Sequence, residues 1–223
     1  PEKLARDEEA IYKDNGWGLS FPGMYADFGV FNLRAEYRYS KRGFNFGYWD
    51  RSYETTRAQV FIDGETKSVI TKESLLYSYG QLKGFFVQFN SSLLNAINFD
   101  MSYQDMIGEK WDDGESAYID GSNKSFSAVV SILPSFIPKL NNFEAFCQSK
   151  DVSNPFKLFK YFTSKDYILP KQYVSTIYGI RGAVEISGGV DLIYTQTTSF
   201  SVNLESGELE PVTSVNIETQ MSF

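Results

Sequence analysis

The chain closes on SVNIETQMSF, Ser214 to Phe223. Val215, Ile217, Thr219, Met221 and Phe223 alternate there with Ser214, Asn216, Glu218, Gln220 and Ser222. Successive side chains of an extended chain point to opposite faces, so the stretch predicts a strand that is apolar on one side and polar on the other. Its last residue is an aromatic on the apolar side.

The same period of two recurs upstream. FNLRAEYRYS (31–40) sets Phe31, Leu33, Ala35, Tyr37 and Tyr39 against Asn32, Arg34, Glu36, Arg38 and Ser40. AINFDMSYQ (96–104) sets Ile97, Phe99, Met101 and Tyr103 against Asn98, Asp100, Ser102 and Gln104. FFVQFN (85–90), KSFSAVVSI (124–132), NNFEAFCQ (141–148), YGIRGAVEIS (178–187) and VDLIYTQT (190–197) alternate likewise. With GWGLSF (16–21) as the first strand and PGMYADFG (22–29) as the turn after it, the chain holds about nine strands.

Two kinds of connection separate them. SSLLN (91–95), PSFIP (134–138) and SGG (187–189) are short. The stretches 42–80, 108–123 and 150–172 are long and polar, and LESGELE (204–210) is a shorter polar loop. If strands alternate in direction, the short turns share one rim and the long loops the other, which makes an up-and-down meander. Within 42–80, Asp63-Gly64 has the chemistry of a hairpin turn, and TKESLLYSY (71–79) that of one or two helical turns. NPFKLFKYF (154–162) predicts a short amphipathic helix at the rim or dipping into a membrane. Residues 1–15 read as loop or the remnant of an upstream segment, and 16–223 as one β-domain. A closed antiparallel meander needs an even number of strands, so an odd count implies a miscounted strand or further strands before Pro1.

Composition narrows function. Lys and Arg number 21 against 28 Asp and Glu, a formal charge of −7, which disfavours nucleic acid as the main partner. Aromatics reach 17%, yet mean hydropathy is only −0.30, as expected of strands apolar on one side only. There is no histidine, so the commonest general base and metal ligand is missing. Cys147 is the sole cysteine, which excludes an internal disulfide or a multi-cysteine metal site and reads as a small apolar residue. No stretch approaches the ~18 apolar residues of a membrane helix.

Alternation suits two architectures. A soluble sandwich or lipocalin-like barrel turns its apolar face inward, whereas a membrane barrel turns it to lipid. Strands of about 10 residues match the 9–11 that cross a bilayer at a tilt. Tyr37, Tyr39, Tyr103, Tyr178 and Tyr194 gather towards strand ends, where an interfacial girdle would sit. With these features in place, the closing strand resembles that of bacterial outer-membrane β-barrel proteins. In that family a terminal Phe preceded by alternating apolar residues is part of the signal read by the barrel-insertion machinery. Val215, Ile217, Met221 and Phe223 match it, and Thr219 matches weakly. The resemblance implies an all-β, antiparallel, up-and-down transmembrane barrel with eight to ten strands visible, in whole or as the C-terminal part of a larger one. It implies the bacterial outer membrane, with long loops outside the cell and short turns in the periplasm.

On that reading the partners are outer-membrane lipid, the insertion machinery, and other subunits or an upstream segment of the same protein, and not nucleic acid. The lumen would carry Arg34, Arg38 and Arg181 against Glu36, Asp100, Glu144, Glu185, Asp191 and Glu218, three basic and six acidic groups. Two of those carboxylates as acid and base would be one use; pairing with the arginines across the lumen is the simpler expectation. WDDGES (111–116) and YIDGSN (118–123) carry oxygen ligands suited to calcium but lack the EF-hand spacing, so Asp-Gly as a plain turn is preferred. GYWDRSY (47–53) would dock sugar or protein, or fold in to cap the mouth. No cofactor, metal or enzymatic activity is expected. A passive pore or structural barrel leads, a plugged barrel that anchors or displays loops to a partner follows, and a soluble β-sandwich or lipocalin-like binding protein is third.

Overall fold

Among the described residues nine strands join in one sheet whose order follows the chain. The computed structural model describes residues 16–51, 53, 57–63, 66–94, 96–112, 114–133, 137–164, 167–203 and 207–221, with backbone alone over 59–63 and 66–68. β1 is Gly18–Asp27, β2 Phe31–Ser40, β5 Tyr79–Leu93, β6 Ile97–Asp112, β7 Ala117–Ile132, β8 Leu140–Val152, β9 Thr176–Ser187, β10 Val190–Val202 and β11 Leu209–Met221. β3 (Ala58–Asp63) and β4 (Thr66–Thr71) form a separate two-stranded hairpin. The protein is therefore all-β, an antiparallel up-and-down meander. Among the described elements the helical ones are α1, Lys157–Thr163, and the 3-10 turns Leu76–Ser78 and Lys171–Ser175. No described helix is long and apolar enough to cross a membrane, which says nothing of strands.

Each alternating stretch became a strand, and several run further than their apolar pattern. The segment 108–123, expected as a long loop, is mostly strand: β6 continues to Asp112 and β7 begins at Ala117. Its polar character was misleading because neighbours satisfy it. Trp111 packs edge-on against Tyr77 and Tyr118, and Tyr118 Oη donates to the Tyr77 carbonyl at 2.7 Å. β8 likewise reaches Val152, inside the expected loop 150–172. The expected turn 22–29 is also strand as far as Asp27. The real turn is at 28–30, where Gly29 takes a positive φ of 82° and Asp27 Oδ1 accepts its N–H at 2.8 Å. Pro22 could sit in β1 because β1 ends the sheet, where a missing N–H costs no ladder bond. Pro211, in β11 at the other end, obeys the same rule. β3 and β4 form the hairpin after Asp63, with Gly64 outside the described residues; the 3-10 turn Leu76–Ser78 falls within 71–79, and α1 begins within 154–162 and ends one residue beyond it. Residues 1–15 lie outside the described residues.

The chain forms two compact units. One comprises residues up to Gly23 with Glu36–Phe86 and Gln104–Asn123; the other comprises Met24–Ala35, Val87–Tyr103 and Lys124 onward. In the second, α1 and the turn Lys171–Ser175 pack on the strands through Leu158 and Tyr173, both fully buried, against Val152, Leu169, Phe200 and Leu209. Tyr173 Oη also donates to the Asn154 carbonyl, and burial followed by the neighbouring Tyr167 pushes its phenol above the ordinary range. The registers of β7 to β11 are continuous apart from single shifts near Lys124, Leu140 and Val190. Two rungs pair a glycine with an aromatic: Phe146 lies opposite Gly179, and Phe143 opposite Gly182. The ring covers backbone that a glycine would leave bare.

Candidate functional site

Along β2, β6 and β9 the face that the sequence makes polar is the more buried one, whereas β11 is exposed on both faces and α1 covers Phe200 and Leu209 on the apolar side. On the polar face Glu36 is 6% exposed, Gln104 5% and Gln148 5%, with Ser40 and Met106 at 1%. On the other face Leu33, Met101, Val130, Ile180, Val184 and Leu192 are exposed, and Ile217 reaches 64%. Water-exposed apolar residues occur singly on any protein, but a buried polar face beneath an exposed apolar one reverses the usual order. Burying polar and charged groups is costly unless each finds a partner, so the partners define the site.

In the first unit the centre is Arg38. Its Nε donates to Glu36 at 3.1 Å and its Nη1 to Gln104 Oε1 at 2.7 Å. The guanidinium lies over the Phe86 ring at 3.7 Å and near Phe46 at 4.9 Å. Glu36 and Arg38 are two apart on β2 and so share a face, while the Phe46 ring comes from the segment after it. Arg suits this position because its planar cation can stack on rings while hydrogen-bonding in its own plane. Close by in sequence, Arg42 holds Glu109 bidentately at 2.7 and 3.0 Å and lies over Tyr118 at 4.0 Å. Phe44 packs against Phe46, and a Cβ on Gly18 would stand 2.3 Å from its ring. Lys72 donates to the Tyr48 carbonyl at 2.8 Å, lies 3.8 Å from Asp50, and sits over the rings of Tyr48 and Tyr53. Trp49 beside them is 74% exposed.

In the second unit the polar face is held mostly by amides. Gln88 donates to Asp100 at 2.9 Å, Asn90 to Asn32 at 3.0 Å and Asn141 to Asp191 at 2.6 Å, and Asn216 donates to Glu218. Glu144 is directly opposite Arg181 on the β8–β9 rungs, and Asp191 opposite Glu185 on the β10–β9 rungs.

The sequence expectation of arginine–carboxylate pairs therefore needs correcting in part. Arg38 takes Glu36 from its own strand, and Arg181 shares a rung with Glu144. Asp100, Asp191 and Glu218 are hydrogen-bonded by amides. Arg34 on β2 is exposed, and so is Glu218, since every β11 residue after Leu209 is exposed on both faces. Val215, Ile217 and Met221 occupy the apolar face of that strand, and Phe223 lies outside the described residues. Gln104, Phe46, Phe86 and the buried Lys150 were missed as site residues. Phe86 carried a readable signal, since it is an aromatic at a polar-face position of FFVQFN. Phe46 carried none, because the path of its segment is tertiary. At WDDGES, Asp112 Oδ1 accepts the Glu115 N–H at 2.9 Å in a turn, and YIDGSN is strand. Among the described residues no three metal-ligating side chains cluster.

No family model and no curated protein matches the chain. A solved structure of the NanC porin in a rhombohedral crystal form is similar over 93% of this chain and 97% of its own, with 7% identity and a TM-score of 0.40. An overlap that loose leaves the strands and their faces to carry the functional reading.

Proposed function

We propose that the chain builds the wall of a bacterial outer-membrane β-barrel that acts as a passive pore or structural membrane protein, without enzymatic activity. The inversion of burial carries this reading: along β2, β6 and β9 the polar face is packed inward while Leu33, Met101, Ile180 and Val184 are open to the surroundings. In water that arrangement would expose a long apolar band to solvent, whereas in a bilayer the band is the lipid contact. Strands of 10–16 residues are also long enough to span. Ser40 Oγ and Gln148 Nε2 are buried without a hydrogen-bond partner among the described residues, and a wet interior would satisfy them. Arg38, Glu144 and Arg181, with the carboxylates from Asp100 to Glu218, then line the lumen.

The test is refolding from urea with and without phosphatidylcholine vesicles, followed by planar-bilayer conductance. Folding that requires lipid, with stepwise ion conductance, is the expected result. A monomer that folds and stays soluble without lipid would overturn the membrane reading. One observation favours the plugged variant of this barrel. Phe46 reaches the Arg38 guanidinium, so the segment after β2 folds over the polar face. A barrel of that kind conducts weakly until Phe44→Ser and Phe46→Ser loosen the segment.

A further inference from the structure

Across β7 to β10 the exposed apolar face is not flat. A trough of about 400 Å³ crosses it, with Phe162 of α1 at its edge. Its floor is one rung, Ala128–Cys147–Tyr178–Thr198, and the neighbouring rung from Val130 to Gln196. The small residues of the β7 and β8 part sink the floor, while Phe162 stands edge-on to Tyr178 at 4.9 Å and walls one end. The trough belongs to the face that holds Val130, Ile180 and Val184, so it opens onto the exposed apolar band. The helix that supplies Phe162 is basic: α1 carries Lys157 and Lys160 and no acid, in a chain whose formal charge is −7, and Lys160 lies over the Tyr167 ring at 4.6 Å.

We infer that this trough binds one acyl chain of an anionic lipid, whose charged headgroup is met by lysines of α1. The inference rests on the membrane reading above. A flexible hydrocarbon chain fits a narrow apolar groove that is continuous with a lipid contact. A basic helix beside the groove in an otherwise acidic protein favours a negative headgroup.

The full chain is reconstituted in phosphatidylcholine vesicles containing a trace of phosphatidylglycerol or phosphatidylcholine with a diazirine in the acyl chain. After illumination the labelled peptides are mapped. Labelling around Ala128, Cys147 and Ile180 should exceed that around Met101 and Ile217 several-fold, and more so with the phosphatidylglycerol probe. Ala145→Phe fills the floor and should abolish the excess, with Ala128→Phe as a second filling variant should the first not fold. Lys157→Gln with Lys160→Gln should remove the headgroup preference alone. Even labelling of the whole apolar band overturns the trough and leaves the membrane reading standing. No labelling of Met101 or Ile217 overturns the membrane reading itself. An excess equal for both probes overturns the anionic assignment.

Discussion

Two residues show most directly what the fold asks of its side chains. Arg38 is held by Glu36, Gln104 and two rings, with Glu36 almost wholly buried beside it. Arg38→Ala leaves that carboxylate buried without its cation and should cost about 3 kcal/mol or more, as broken buried pairs do. The double change Arg38→Met, Glu36→Leu should recover much of the loss. Urea-unfolding midpoints in vesicles measure both, and a single variant as stable as the parent would refute the pairing. Gly84 poses a different demand. A Cβ there would stand 1.9 Å from the Asp105 carbonyl oxygen on β6, so the two strands approach more closely than alanine allows. Gly84→Ala should destabilise by roughly 1–3 kcal/mol, read by the same titration. The sequence displayed Arg38 on a polar face, while Gly84 stood just before the alternating stretch 85–90 and only the structure places it inside β5. The sequence could not show what each meets, because Gln104 and Asp105 lie on another strand.

At the scale of elements, β11 and α1 give opposite tests. β11 ends the sheet, with Ile217 on the apolar face and Glu218 on the polar one. Ile217→Arg should impair folding into vesicles by about 2–4 kcal/mol if that position is near the bilayer midplane, whereas Glu218→Arg should be tolerated. Equal tolerance of both would mean that the apolar face does not meet lipid. α1 is too short to be stable alone and depends on Leu158, which is wholly buried. Leu158→Ala should cost about 2–5 kcal/mol locally. Proteolysis between 153 and 175 should rise while the circular-dichroism strand signal is unchanged. The strand positions were legible because alternation is a local property. Their extents were not: EKWDDGESAYIDGSN reads as loop until Tyr77 and Arg42 are brought beside it. PGMYADFG read as a turn because proline and glycine disfavour strands, a rule that relaxes at the end of a sheet.

For the whole molecule, electrostatics sets the sign of conduction. The expected lumen set holds three basic and six acidic side chains, and the buried Lys150 adds one positive charge without reversing the balance. A pore should therefore prefer cations, seen as a reversal potential of that sign in a potassium chloride gradient. Glu185 and Asp191 face each other on one rung, and like charges so placed repel. Glu185→Gln should raise stability by a few tenths of a kcal/mol, up to about 1, and reduce the cation preference. A preference unchanged by that substitution would place the rung away from the conduction path.

By itself the sequence determined the class of fold, an up-and-down order of about nine strands, and which side of each is apolar. These follow from a period of two that each strand carries alone. Only the tertiary structure decided which side is buried, since alternation is identical for a ribbon facing in and a ribbon facing out. It also decided where the strands end and which groups satisfy Arg38, Asp100 and Asp191. Those outcomes depend on partners remote in the chain, and no local pattern encodes a contact between strands that have not yet met.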